Sequence, residues 1–252
     1  YHRFYRLGVS QMQVDAVRES AESYRLFICG LYKAFATNEG KELAGEKTPD
    51  YVRCLPLLHA LFPWCKSIHI VRDGRDTALS LLDWAGDTKG PARFELWSEN
   101  PLAVAALWWR WQVRHGLAAE NQLGPDRHLL VKYEKLVESP EAELRRISEF
   151  IGLPFADEMV RFNEGRVRND SGISAKKAWL APTSGLRDWR TQLDEPQQQL
   201  VEALAGDTLK RLDYPTRYGS FTPEAARQAE EIRNRWEENL ARRHPAGGLP
   251  VE

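Results

Sequence analysis

Residues Gly45 to Leu82 read GEKTPDYVRCLPLLHALFPWCKSIHIVRDGRDTALSLL, and the fold turns on their second half. Ser67 to Val71 is a short β-rich run. Arg72-Asp73-Gly74-Arg75-Asp76 is a polar corner, and Thr77 to Leu82 is an apolar run of helical character. A strand, a tight turn at Gly74 and an aspartate in N-cap position before apolar residues predict a strand-to-helix unit. The corner sets Arg72 where the strand ends and Ser80 about one turn into the following helix. Free backbone N–H groups and the positive end of the helix dipole are expected to meet there, which suits a phosphate. Arg72 would supply a fork-shaped charge and Ser80 a hydroxyl donor.

Around this unit the pattern alternates. Ser10 to Phe35 carries apolar residues at steps of three and four (Val14, Val17, Ala21, Tyr24, Ile28, Leu31, Phe35), which predicts one long packing helix. Asp50 to Phe62 reads as a further helix, with Pro56 near its first turns. Asp83 to Asn100 has no period and reads as a long binding loop or lid. Asn100-Pro101 then caps a helix from Leu102 to about Asn121 that carries Trp108, Trp109 and Trp111. Leu129 to Tyr133 is a second strand, and Ser139-Pro140 opens a helix through Phe150 that Gly152 and Pro154 stop. A short helix is expected around Asp157 to Asn163. Gly165 to Arg190 is basic and irregular, Pro196 to Leu212 an amphipathic helix, and Pro223 to Arg243 a charged helix read as solvated or partner-packing. Strands alternating with helices predict an α/β fold with a parallel sheet. The expected division is residues 1–219 for the main domain and 220–252 for the charged helix and tail.

Composition sets the bounds. The 252 residues, 42% hydrophobic and 28% charged, suffice for a sizeable core. A formal net charge of −1 gives no global field for nucleic acid or a membrane surface, so any anion site must be a local cluster. Cys29, Cys54 and Cys65 show no metal-ligand spacing and are odd in number, the usage of reduced thiols in a cytoplasmic protein. No apolar run is long enough to span a bilayer. Homo-oligomerisation is left open.

VRDGRDTALS, with GEKTP upstream and a Tyr-Glu pair and a Trp-containing basic segment downstream, resembles the PAPS-dependent sulfotransferase family, and its bacterial and carbohydrate- or tyrosine-type branches in particular. The resemblance runs from about Gly45 to Pro215. It implies a P-loop-like three-layer fold, a central parallel sheet flanked by helices. It also implies PAPS (3′-phosphoadenosine-5′-phosphosulfate) as sulfuryl donor, PAP (adenosine 3′,5′-bisphosphate) as product, and a small-molecule, carbohydrate or peptide acceptor bearing a hydroxyl or amine. By the same resemblance Arg72 and Ser80 would hold the 3′-phosphate. Arg187, in Ser184-Gly185-Leu186-Arg187-Asp188-Trp189, would fold over it, with Lys176 and Lys177 as alternative suppliers of that charge. Lys47 would stabilise the leaving phosphate as a compact point charge, and Tyr133 would lie near the nucleotide. The acceptor is expected between residues 83–100 and 165–185, beside the tryptophan cluster.

The chain also departs from the family pattern. The small-phenol branch carries a histidine two residues after the catalytic lysine, where this chain has Pro49. His59, His69 and His115 are the internal alternatives, and each reads as structural. The Gly-rich 5′-phosphosulfate loop is absent from these residues and is expected upstream of Tyr1. A relative that lacks it would be an inactive nucleotide-binding or interaction module. A P-loop kinase is the remaining rival, because Gly40 to Thr48 nearly matches G-x-x-x-x-G-K-[ST]. There, however, Glu46 intrudes beside the lysine, and the preceding segment reads as helix.

Overall fold

A computed structural model describes residues 8–83, 90–164 and 187–243. The chain divides into two compact units, Tyr1–Tyr51 with Leu57–Cys65, and Val52–Pro56 with Lys66–Glu252.

The first unit is helical. The single helix expected from Ser10 is two, α1 (Gln11–Ser20) and α2 (Tyr24–Asn38). Ser10 opens α1 through a reciprocal capping box with Gln13, and Ser23, in extended conformation, caps α2 by accepting from the Leu26 amide. The helices cross closely at Gly30, where an added Cβ would lie 2.5 Å from Cγ1 of Val17. Asn38 closes the pair by bonding to the Gln13 side chain and the Gly8 carbonyl, both at 2.9 Å. An irregular exposed stretch follows, then a 3-10 turn over Pro49–Cys54 and α3 (Leu55–Leu61), where one helix was expected.

The second unit is built on α5 (Pro101–Leu123), which Asn100 caps and Gly124 ends at a φ of 76°. Against it lie β1 (Ser67–Val71) and β2 (His128–Lys132), a parallel pair in register from Ser67 opposite His128 to Val71 opposite Lys132. The fold is α/β as expected, and among the described residues its sheet has two strands. Ser67, His69 and Val71 turn toward α5, while Ile68 and Ile70, on the other side, remain exposed. The approach is tight: a Cβ on Gly116 of α5 would fall 2.1 Å from the His69 ring.

Helix α4 (Gly74–Leu82) follows β1, while α6 (Tyr133–Glu138) and α7 (Pro140–Ile151) follow β2. Gly152, in the left-handed region at φ 81°, stops α7 as expected. The short helix predicted near Asp157 is a single 3-10 turn, Asp157–Met159. Helices α8 (Trp189–Gln192), α9 (Glu195–Arg211) and α10 (Pro223–Arg243) complete the unit.

Two further regions differ from their sequence reading. Within Asp83 to Asn100, the described residues form two 3-10 turns that bury Phe94 and Leu96 in the core, so this part is a packed element rather than a lid. Likewise α10 is no solvated helix. Ala229, Ile232 and Trp236 form one stripe that joins Phe94, Leu107 and Leu204 in one cluster, and the charged residues occupy its other faces. The Trp236 ring stacks on Phe94 with centroids 4.2 Å apart. Among the described residues no helix is long and apolar enough to cross a membrane, and no group of three or more His, Cys, Asp or Glu could hold a metal. Cys29, Cys54 and Cys65 form no disulfide.

Candidate functional site

The corner between β1 and α4 is fixed from beneath by Trp109 of α5. Its indole N–H donates to the Arg72 carbonyl at 3.0 Å. The face of the same ring lies so close to Gly74 that a Cβ there would sit 2.5 Å from Cε3. Gly74 is therefore required by this contact; it is the first residue of α4 and not a left-handed turn. Trp109 thus serves as the buried floor of the corner. Trp108 and Trp111 pack edge-on against each other beside Phe94 and Trp236, with Arg53 lying over both rings. Trp109 is buried, and Trp108 and Trp111, partly buried, pack against the core cluster.

The start of α4 differs from the vacant anion cradle expected. The Asp73 amide donates to Glu134 Oε1 at 2.8 Å, and the Arg75 amide to Asp73 Oδ1 at 2.9 Å. Two of the chain's own carboxylates already serve these donors. Glu134 also accepts from the Tyr214 hydroxyl at 2.8 Å. Burial, then Glu134, pushes that phenol well above the usual tyrosine range.

Arg75, fully buried, locks this arrangement. Its guanidinium reaches Asp73 Oδ2 at 2.7 Å, Glu202 Oε1 at 2.6 Å and the Pro215 carbonyl at 2.9 Å, and its Cζ lies 3.8 Å from the centre of the Trp189 ring. Burial works against its charge, but Asp73 and Glu202 outweigh it and raise its pKa. Glu202 also accepts from the amides of Arg217 and Tyr218. One buried cation thereby joins the corner to α8, α9 and the segment after α9.

On the outer side of α4, Asp76, Ser80 and Asp83 fall on one face by helical spacing. Arg72 lies over the Tyr133 ring at 5.1 Å and pairs with Asp76 at 3.4 Å. Arg187 pairs with Asp83 at the other end of the face. Asp76 Oδ1 also accepts from the Trp189 amide at 3.0 Å, which ties the residue two positions after Arg187 to the start of α4. Burial pushes the Asp76 carboxyl above the usual carboxylate range, with the Trp189 amide and Arg72 pulling against it.

The structure therefore gathers Arg72, Tyr133, Ser80 and Arg187 about one face of α4. Lys176 and Lys177 lie outside the described residues, as does the whole of the 165–185 segment. Lys47 lies in the first unit, exposed, on the irregular stretch before the 3-10 turn. That stretch follows a helix, and a 3-10 turn follows it, so it lacks the strand–loop–helix setting of a kinase P-loop. His59 and His115 are buried, and burial together with His128 lowers the His69 pKa to about 4. The sequence reading gave no role in the site to Asp76, Asp83, Arg75 and Glu134, and Trp109 entered it only as a member of the tryptophan cluster. The repeat of Arg72, Asp76 and Ser80 at four-residue spacing was the available signal for the first of them.

The sequence pattern that defines the Sulfotransferase family matches residues 3–157. Nodulation protein NoeE of Sinorhizobium fredii (strain NBRC 101917 / NGR234) is 29% identical over 228 residues, which cover 82% of this chain and 54% of that protein. Protein-tyrosine sulfotransferase A of Caenorhabditis elegans is 27% identical over 197 residues, covering 74% of this chain and 50% of that one. The chain spans about half the length of these two relatives. Among solved structures, a sulfotransferase domain from the curacin biosynthetic pathway aligns with 91% of this chain and 76% of its own, at 21% identity and a TM-score of 0.47.

Proposed function

Because this chain belongs to the sulfotransferase family, we propose that it transfers the sulfuryl group of PAPS to an acceptor hydroxyl or amine. The observation that carries this reading is the set of groups along the outer face of α4. Arg72 has its carbonyl pinned by Trp109 and its guanidinium over Tyr133, Ser80 supplies a hydroxyl, and Arg187 reaches the same face. Two forked cations and a hydroxyl suit a phosphate dianion, so Arg72, Ser80 and Arg187 would hold the 3′-phosphate and Tyr133 would border the nucleotide. PAPS, when bound, supplies an activated sulfuryl group on a phosphate leaving group.

Lys47 is assigned to charge on that leaving group. A lysine ammonium at the bridging oxygen stabilises negative charge that grows as the bond to sulfur breaks. Lys176 and Lys177 would add positive charge toward the nucleotide. The acceptor class is a peptide tyrosine, as the name of the nematode protein indicates, or, by the family resemblance alone, a carbohydrate or small-molecule hydroxyl or amine. The cysteine usage supports a cytoplasmic setting.

Calorimetric titration with PAP tests the nucleotide site, with adenosine 5′-phosphate and an Arg72→Ala variant as controls. PAP should bind, and its advantage over adenosine 5′-phosphate should vanish in Arg72→Ala. Equal affinity for the two nucleotides, or indifference to Arg72→Ala, overturns the assignment. Arg72-dependent binding without transfer from PAPS to any hydroxyl or amine acceptor would make the chain a nucleotide-binding module instead.

A further inference from the structure

Both arginines assigned to the 3′-phosphate are engaged by aspartates of the same helix face. Arg72 faces Asp76 at 3.4 Å, and Arg187 faces Asp83. Ser80 stands between the two aspartates, one turn from each. Asp76 and Arg72 are both mostly shielded, with 16% and 24% of their side chains exposed, whereas Asp83 and Arg187 are more open at 48% and 30%. Each of these two cations is thus matched by an anion among the described residues. A phosphate dianion placed there meets two carboxylates as well as two guanidinium groups.

We infer that Asp76 and Asp83 are the resident partners of Arg72 and Arg187, that an incoming phosphate displaces them, and that these two aspartates thereby set how tightly the nucleotide is held. The inference rests on the reading of Arg72 and Arg187 as 3′-phosphate ligands. Phosphate binds by exchanging one charge-assisted contact for another, so the net gain is smaller than two free arginines would provide. Such an exchange suits a site that must release its product, because PAP carries the same 3′-phosphate as PAPS. The aspartates also keep each guanidinium oriented along α4 before the ligand arrives. Asp76 has a second task in holding the Trp189 amide.

Neutral isosteres separate these tasks. Asp76→Asn keeps an acceptor for the Trp189 amide while removing the charge beside Arg72, and Asp83→Asn does the same at Arg187. Calorimetry with PAP should show each variant binding roughly three- to tenfold tighter than the unsubstituted protein. The two effects should add in the double variant, because the pairs are separate. Affinity for adenosine 5′-phosphate should stay unchanged. A purely structural role for the aspartates predicts the opposite sign, since loosening Trp189 or Arg187 weakens binding. Unchanged or weaker PAP binding in both variants, with the dependence on Arg72 intact, overturns the displacement and leaves the site standing. Failure of the unsubstituted protein to bind PAP, or loss of the dependence on Arg72, overturns the site assignment and the inference with it.

Discussion

The indole of Trp109 holds the Arg72 backbone from below: its N–H donates to the Arg72 carbonyl at 3.0 Å while its ring face excludes any side chain at position 74. A core residue of α5 thus decides where the β1–α4 corner points. The rigidity of a candidate site residue is inherited from the packing beneath it.

Gly74→Ala should show this directly. A Cβ at 2.5 Å from the ring forces either the helix start or Trp109 to move. The expected destabilisation is about 1–3 kcal/mol. It is measurable by urea unfolding, and PAP affinity should weaken along with it.

Arg75→Met should be more severe. It leaves Glu202 and Asp73 buried without their cation, at a cost of about 3–5 kcal/mol. Adding Glu202→Gln, which keeps an acceptor for the Arg217 and Tyr218 amides, should restore part of that stability in thermal unfolding.

Acid should weaken the fold through His69. Its folded-state pKa, lowered to about 4 by burial and by His128, lies below the ordinary value of 6.5. Above pH 6.5 neither state binds the proton. Between 6.5 and about 4 the unfolded chain takes it up and the folded one does not, so stability falls as the pH drops, by up to about 1.4 kcal/mol per pH unit. Denaturant midpoints across that window should fall, and a His69→Gln variant should show a shallower decline.

Lys47→Met tests the division of labour between the lysine and the phosphate readers. Turnover from PAPS should drop by roughly a hundredfold or more. Affinity for PAP should change by less than about twofold, because the residues proposed to hold the 3′-phosphate are untouched. A comparable loss in both would place Lys47 in binding and not in the transfer step.

Trp236→Ala should cost about 3–5 kcal/mol, read by thermal or denaturant unfolding, because the residue fills the core between Phe94 and Trp111. A solvated C-terminal helix would tolerate the change.

The strand, corner and helix around Arg72 were legible because each carries a local signal: a β-rich run, an N-capping aspartate and an apolar helical period. Caps likewise located α5 and α7. The break between α1 and α2 was hidden because Ala21, Glu22 and Ser23 add close to one turn, so the apolar steps run across it without losing phase. The role of α10 was hidden for a different reason. A narrow stripe of Ala225, Ala229, Ile232 and Trp236 is enough to seal a core, and in a helix so rich in charge it leaves a weak compositional trace. The aspartates opposite Arg72 and Arg187 were overlooked because an acid near a phosphate site reads as repulsion until the paired geometry is seen. Arg75, in turn, looked like a second surface cation, because nothing local in the sequence announces a partner as distant as Glu202.

The stacking of Trp236 on Phe94 bears on synthesis. While the ribosome is still decoding the residues between them, Phe94 can meet Trp108 of α5, but the face that Trp236 covers has no ring to close over it. That aromatic surface stays uncovered until α10 has emerged, so the unit matures late and through contacts remote along the chain. Chaperone occupancy on the nascent polypeptide should be greatest in the interval just before Trp236 leaves the exit tunnel.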